Sequence, residues 1–280
     1  MITTKLYNGV EIPRLGLGTY LVADGESAYD TVLHALKVGY RHIDTAQMYK
    51  NEATIGQAVV DSGIDRRELF ITTKQMAHST PDKMRKQFEE SLAKLKTDYV
   101  DLYLIHWPNH DKKINQQTWA LFEELYYEKK VRAIGVSNFQ RHQLEDLLET
   151  ATIVPMVNQV ELHPGLSQIP LQAYLEKKHI AIESFGPLMK GGVFEGIWKE
   201  GLSAIAEKHQ ASIPQIIIAW GLARGVIMIP KSVTPSRIEE NFKAKDIILS
   251  PEEILAINQL NRGKRVYTDP DNSPWGPYNE

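Results

Sequence analysis

The sequence contains no cysteine, which excludes disulfides, thiolate nucleophiles and zinc–thiolate sites together. It also lacks an excess of charge: 32 Lys and Arg stand against 35 Asp and Glu, a formal net charge of −3. A chain so balanced is not built to hold nucleic acid or an anionic membrane surface. Long apolar runs are missing too. Stretches such as Ile216 to Trp220 fall far short of the roughly 20 residues a membrane-spanning helix needs. Nothing like the apolar core of a signal peptide follows Met1, so a cytoplasmic protein is expected.

What is present is ordinary globular composition, with 42% hydrophobic and 24% charged residues in a chain of 280. That length buries a sizeable core, and no low-complexity linker interrupts it, so a single domain over residues 1–280 is expected. Short β-branched or apolar runs recur between segments of helical spacing. The predicted strands are Leu15–Tyr20, Arg41–Ala46, Leu69–Lys74, Asp101–His106, Ala133–Ser137, Met156–Leu162, Ala181–Phe185 and Val226–Lys231. The clearest helix is Pro81–Leu95, with Thr80 as its expected N-cap and Pro81 at the first position, where a missing N–H costs nothing. Met84, Phe88, Leu92 and Leu95 then form one apolar stripe.

Eight strands alternating with helices imply a parallel sheet. Runs such as Leu102–Ile105 are apolar throughout, as expected of strands covered on both sides. The expected fold is therefore α/β, a (β/α)8 TIM barrel, with a doubly wound open sheet as its rival. Two additions lie outside the repeat. Lys5–Pro13, with Asn8-Gly9 between short apolar runs, predicts an N-terminal hairpin plugging the barrel floor. After the eighth strand, Pro235–Lys245 and Pro251–Leu260 predict two helices, the second an extra C-terminal one, followed by a polar tail.

In such a barrel the active site gathers at the C-terminal ends of the strands. Those ends carry Asp44, Lys74, His106, Ser137 with Asn138, and Lys231 with Ser232; Tyr49 follows Asp44 by five residues, and Gln159 lies within the sixth strand. Singly, Asp44 and Lys74 read as a buried ion pair and His106 as a core histidine. Together they support one chemistry. A phenol titrates near about 10, an ammonium beside it favours the phenolate, and a carboxylate keeps that ammonium charged. Asp44, Lys74 and Tyr49 thus make a general-acid unit, with His106 able to hydrogen-bond a substrate carbonyl. No nucleophile and no metal cage accompanies them, so a nicotinamide hydride is the obvious agent to attack carbon.

The Rossmann fingerprint that begins at Gly16 and Gly18 fails, because Leu21 stands where a third glycine belongs. Ile229–Arg237 is the better phosphate candidate, combining Lys231, Arg237, hydroxyls and a helix start.

Several segments taken in order resemble the aldo-keto reductases along nearly the whole chain. They are Gly16-Leu17-Gly18-Thr19, Asp44 through Tyr49, the strand ending in Lys74, and Ile105-His106-Trp107-Pro108. Gly135 through Phe139, Asn158-Gln159-Val160-Glu161 and Ile229 through Asn241 complete the set. The resemblance implies a catalytic tetrad of Asp44, Tyr49, Lys74 and His106, and NADP(H) extended across the barrel top. It implies that Ser137, Asn138 and Gln159 hold the nicotinamide carboxamide and that Phe185 stacks on the ring. Thr19, Asp44, Gly186 and Leu188 join that cofactor cleft. Lys231, Ser232, Thr234 and Arg237 fall to the 2′-phosphate, and Glu240 and Asn241 to the adenine. Tyr20, Met76, Trp107 and Trp275 are the expected substrate wall; no metal is expected.

Two departures concern pocket shape: Met76 stands where many members have tryptophan, and Gly186 where serine is common. The chain looks most like the prokaryotic branch acting on glyoxals, small aldehydes and diketo sugar acids. The expected partner is a small carbonyl substrate, without nucleic acid or membrane, and the expected state is a monomer. The alternative is a cofactor-binding regulatory subunit with little turnover; a phosphate-sugar isomerase on the same barrel is disfavoured by Lys231–Asn241.

Overall fold

The computed structural model describes residues 2–76 and 80–272. It opens with an antiparallel hairpin, β1 (Thr3–Lys5) and β2 (Glu11–Pro13), in which Thr4 pairs with Ile12. Asn8 and Gly9 make the turn, and Gly9 takes a φ of 91° that only glycine adopts cheaply. Leu6 and Ile12 are buried with Phe70, Leu102, Leu104, Ala133, Met156, Val157 and Ile227. Most of these sit at or near the starts of barrel strands, so the hairpin does close the floor.

Eight parallel strands follow: β3 (Leu17–Gly18), β4 (His42–Asp44), β5 (Phe70–Gln75), β6 (Val100–Ile105), β7 (Val131–Ser137), β8 (Val157–Glu161), β9 (Ala181–Phe185) and β10 (Ile227–Met228). They pair in chain order from β3 to β10. The ring closes where Met228 N donates to Arg14 O at 2.8 Å and Gly16 N donates to Met228 O at 2.9 Å. This is the (β/α)8 barrel the sequence predicts. Strands β5 and β6 are buried along their whole length.

The first and last strands are shorter than predicted, and the cause is local. Pro230 has no N–H to continue β10, and Leu21 turns out of β3 with a φ of 57°.

The helices are α1 (Glu26–Val38), α2 (Glu52–Asp61), α3 (Pro81–Leu95), α4 (Lys112–Tyr127), α5 (Arg141–Leu148), α6 (Ile169–Lys177), α7 (Gly196–Lys208), α8 (Ile213–Ala223), α9 (Pro235–Lys243) and α10 (Pro251–Asn258). Helix α3 has the predicted limits and buries Met84, Phe88, Leu92 and Leu95. Thr80 occupies its N-cap, but the side chain makes no capping hydrogen bond. Helix α9 stops two residues early, where the chain tightens into a 3-10 turn over Ala244–Asp246.

Candidate active site

Strand β4 delivers Asp44 and strand β5 delivers Lys74 to the barrel interior, both almost wholly buried. Lys74 Nζ donates to Asp44 Oδ1 at 2.5 Å, to Thr45 O at 3.0 Å and to the Tyr49 hydroxyl at 3.3 Å. Gln159 Nε2 donates to the other carboxylate oxygen of Asp44 at 2.8 Å. Both oxygens of Asp44 thus face donors, the environment of a carboxylate.

Tyr49 comes from a single 3-10 turn, Gln47–Tyr49, that ends with Lys50 in a left-handed conformation. Buried polar residues fix that turn. Gln47 Nε2 donates to the Ser91 and Tyr103 hydroxyls, and Gln47 Oε1 accepts from Met76 N. Asn51 ties the following residue stretch to β3, donating to Thr19 O and Val22 O while accepting from the Thr45 hydroxyl.

His106 directly follows β6, and its ring meets the Tyr49 ring edge-on, with centroids 5.6 Å apart. Burial, with a further push from the Lys74 charge, holds His106 well below the usual histidine range. It is a neutral imidazole at physiological pH. The Tyr49 hydroxyl is pushed up to about 12, because burial outweighs the opposing pull of Lys74. Lys74 does act in the direction the sequence suggests; burial is the larger effect. Tyr49 therefore holds its proton at neutral pH, and the ammonium stands ready to stabilise the phenolate once that proton leaves. Lys74 itself is raised: burial lowers it, but the opposing pull, led by Asp44, prevails, so it stays charged.

Asp44, Tyr49 and His106 line a cleft of about 720 Å³, within the range of small-molecule sites. Tyr20, Trp107, Ser137, Asn138, Gln159, Phe185, Gly186, Leu188 and Lys231 all line it. Asn138, at a φ of 66°, donates to His106 O and Ser137 Oγ, while Ser137 donates to Gln159 O. Thr19 is buried just behind, donating from its hydroxyl to Asp44 O.

Beyond Lys231 the chain passes Ser232, whose hydroxyl accepts from Thr234 N, and enters α9. Lys231 and Arg237 are exposed, and neither makes an ion pair among the described residues. Thr234 caps α9 without a side-chain bond, which leaves the helix N-terminus open. Two free cations beside such a terminus fit a phosphate group. Glu240 and Asn241 lie further along α9, the latter buried.

The Aldo/keto reductase family model matches residues 14–262. The chain belongs to the aldo/keto reductase family. It is an oxidoreductase of that family, and its relatives include prokaryotic glyoxal and methylglyoxal reductases. It is 48% identical over 270 residues to the glyoxal reductase of Bacillus subtilis (strain 168), covering 96% of both chains. With the methylglyoxal reductase DkgA of Yersinia pestis it shares 44% identity over 268 residues, 95% of each. The barrel matches that of a Bombyx mori aldo-keto reductase solved with NADP at a TM-score of 0.90 and 33% identity. That match covers 99% of this chain and 98% of the other.

One expected wall residue, Met76, is not among the described residues that line the cleft. Met76 is half-buried with its sulfur 4.0 Å from Gln87 Nε2 of α3, and the methionine that lines the cleft is Met48. The reason is the hydrogen bond that pins Met76 N to Gln47. Trp275 lies outside the described residues. A wall residue the sequence reading missed is Tyr267. Glu161 holds it in place from the end of β8, its carboxylate accepting from Val266 N at 2.6 Å, Tyr267 N at 3.3 Å and His163 Nε2 at 3.0 Å. The Tyr267 ring then meets Phe185 edge-on at 5.2 Å, under the Lys190 ammonium. The available signal was Glu161 itself: a carboxylate ending a barrel strand needs donors, and the tail supplies them.

Proposed function

We propose that this chain, acting as one domain over residues 1–280, reduces aldehydes and small dicarbonyls such as glyoxal and methylglyoxal to hydroxy compounds, with Tyr49 as the proton donor. The observation that carries the reading is the unbroken hydrogen-bonded chain Gln159–Asp44–Lys74–Tyr49, ending beside His106 within the cleft. NADP(H) is the cofactor and, when bound, supplies the hydride. Lys231, Ser232, Thr234 and Arg237 hold its 2′-phosphate, Glu240 and Asn241 its adenine, and Ser137, Asn138 and Gln159 its carboxamide. Phe185 offers an aromatic face to the nicotinamide.

The remaining work belongs to side chains. His106, neutral, donates a hydrogen bond to the carbonyl oxygen and orients it toward Tyr49. Tyr49 gives its proton to that oxygen as negative charge builds there. Lys74 lowers the cost of the phenolate left behind, and Asp44 keeps Lys74 charged and aimed. Tyr20, Met48, Trp107 and Tyr267 wall the substrate and limit water.

The test is NADPH oxidation, followed at 25 °C, over a panel of glyoxal, methylglyoxal, nitrobenzaldehyde and a diketo sugar acid. Turnover highest with the small dicarbonyls supports the reading. Cofactor binding without turnover of any of them would replace it with the regulatory-subunit alternative.

A further inference from the structure

One buried acid in the barrel has no part in the chemistry above. Glu183 lies on β9, fully buried, and neither of its carboxyl oxygens has a full hydrogen-bond partner. It pairs in register with Gln159 on β8 and with Ile227 on β10. Across the interior, His42 Nε2 stands 3.7 Å from Glu183 Oε1. The titratable groups that face it are His42 and Asp44 from β4 and Lys74 from β5. Helix α6, with Glu176 and Lys177, packs behind β9 against the opposite face.

The hydrogen bonds of His42 decide what sits opposite Glu183. Its Nδ1 is 3.2 Å from Pro13 O, a carbonyl that can only accept, so Nδ1 carries the hydrogen. In the neutral ring Nε2 is then an acceptor, satisfied by the Thr72 hydroxyl at 3.1 Å. Gly16 makes room for this arrangement, since a Cβ there would fall 2.7 Å from His42 Nδ1. An ionised Glu183 would point its charge at a lone pair, close to the charge of Asp44, with only the Gln159 amide, already engaged by Asp44, to solvate it. A protonated Glu183 meets none of these penalties. Burial and the Asp44 charge raise it to about 8, against weaker pulls from Gln159 and Lys74, while burial lowers His42 to about 3. The proton belongs to the carboxyl.

We propose that Glu183 is a positioning residue for the Asp44–Lys74 pair: kept as the neutral acid, it leaves Asp44 the sole anion beside Lys74, and its ionisation at alkaline pH weakens Tyr49 as a proton donor. On ionisation the carboxyl O–H breaks, the proton goes to solvent and the electron pair stays on Glu183. The added negative charge competes for Lys74 and opposes formation of the Tyr49 phenolate. The second half of this inference rests on Tyr49 being the proton donor; the first half does not.

Three measurements separate the two. An infrared pH-difference spectrum of the wild-type protein should show a protonated-carboxyl band lost on raising the pH through about 8, and absent from Glu183→Gln. Because folded Glu183 holds its proton to about pH 8 and the unfolded chain releases it near 4.5, wild-type stability should fall relative to Glu183→Gln as pH rises through that window. The melting-temperature gap should therefore widen from about pH 5 to about pH 8 in favour of the variant. Finally, the alkaline limb of kcat for glyoxal reduction should move to higher pH in Glu183→Gln by about one unit or more. No band in the wild type, or a pH-independent melting gap, overturns the protonated acid whether or not the enzyme turns over. A band and a widening gap with superimposable alkaline limbs overturn the positioning role. Absence of any turnover in the wild type sinks the proposed function and, with it, that role, while the infrared result still decides the protonation.

Discussion

The Tyr267 ring fills the space that a side chain at residue 186 would need: a Cβ on Gly186 would fall 2.5 Å from Tyr267 Cε2. Gly186 also adopts a φ of 61°, which a side-chain-bearing residue adopts at a cost of about 1–2 kcal/mol. The departure from the serine common at this position is thus explained by the tail that packs on it. Gly186→Ser should displace the Tyr267 ring and open the tail side of the cleft. The expected result is a higher kcat/KM for nitrobenzaldehyde relative to glyoxal, reproduced by Tyr267→Ala without the backbone strain. If both variants keep the wild-type ratio, Tyr267 is not a substrate wall.

Tyr49→Phe should lower kcat by at least about 10²-fold, the low end of general-acid contributions. Only a 3.3 Å hydrogen bond to Lys74 is lost, so stability should change by no more than about 1.5 kcal/mol and NADPH should still bind. Lys74→Met should also abolish turnover, but through a different ledger. It leaves Asp44 buried without its cation, which costs about 3–5 kcal/mol. Thermal melts beside turnover therefore distinguish the two. Near-normal kcat in Tyr49→Phe removes the tyrosine from the mechanism.

Most of this architecture was legible in the sequence, and the residues show why. Strand periodicity located Asp44, Lys74 and His106 because a strand end is marked by where its apolar run stops. The shortening of β10 was legible too, in Pro230, but an apolar run hides which N–H groups find partners. Met76 and Tyr267 were beyond reach for another reason. Met76 is drawn toward α3 by a backbone bond to Gln47, 29 positions away, and Tyr267 N is placed by a carboxylate 106 positions earlier. Neither contact leaves a periodic trace. Glu183 was hidden inside its strand because only the assembled barrel shows which groups face it.

Buried histidines set the acid side of stability. His42 is lowered to about 3 and His106 well below 6.5, in both cases chiefly by burial. The unfolded chain binds those protons near about 6.5. Their contribution is therefore complete above that pH and is lost as pH falls below it, by about 1.4 kcal/mol per unit for each histidine. The melting temperature of the wild type should drop between about pH 6.5 and pH 5 more steeply than that of His106→Gln. Parallel curves would mean that His106 takes up its proton in the folded protein as readily as in the unfolded chain.

Cofactor choice depends on Lys231 and Arg237. Both are exposed, and neither has an ionic partner among the described residues, while α9 begins between them with Thr234 making no side-chain cap. NADPH differs from NADH by a 2′-phosphate carrying nearly two negative charges. A charge-assisted hydrogen bond to it is worth about 1.5–3 kcal/mol, or about one to two powers of ten in affinity. Arg237→Ala should weaken NADPH binding by that factor and leave NADH nearly unchanged, because NADH has no phosphate to lose. Stability should hardly move, since an exposed helix residue without partners contributes little to the fold. Raising the salt should narrow the difference between wild type and variant for NADPH, as expected of an exposed charge contact. Fluorescence titration of both cofactors against both proteins measures this directly. An equal loss for NADH would show that Arg237 supports the shape of the cleft and does not read the phosphate.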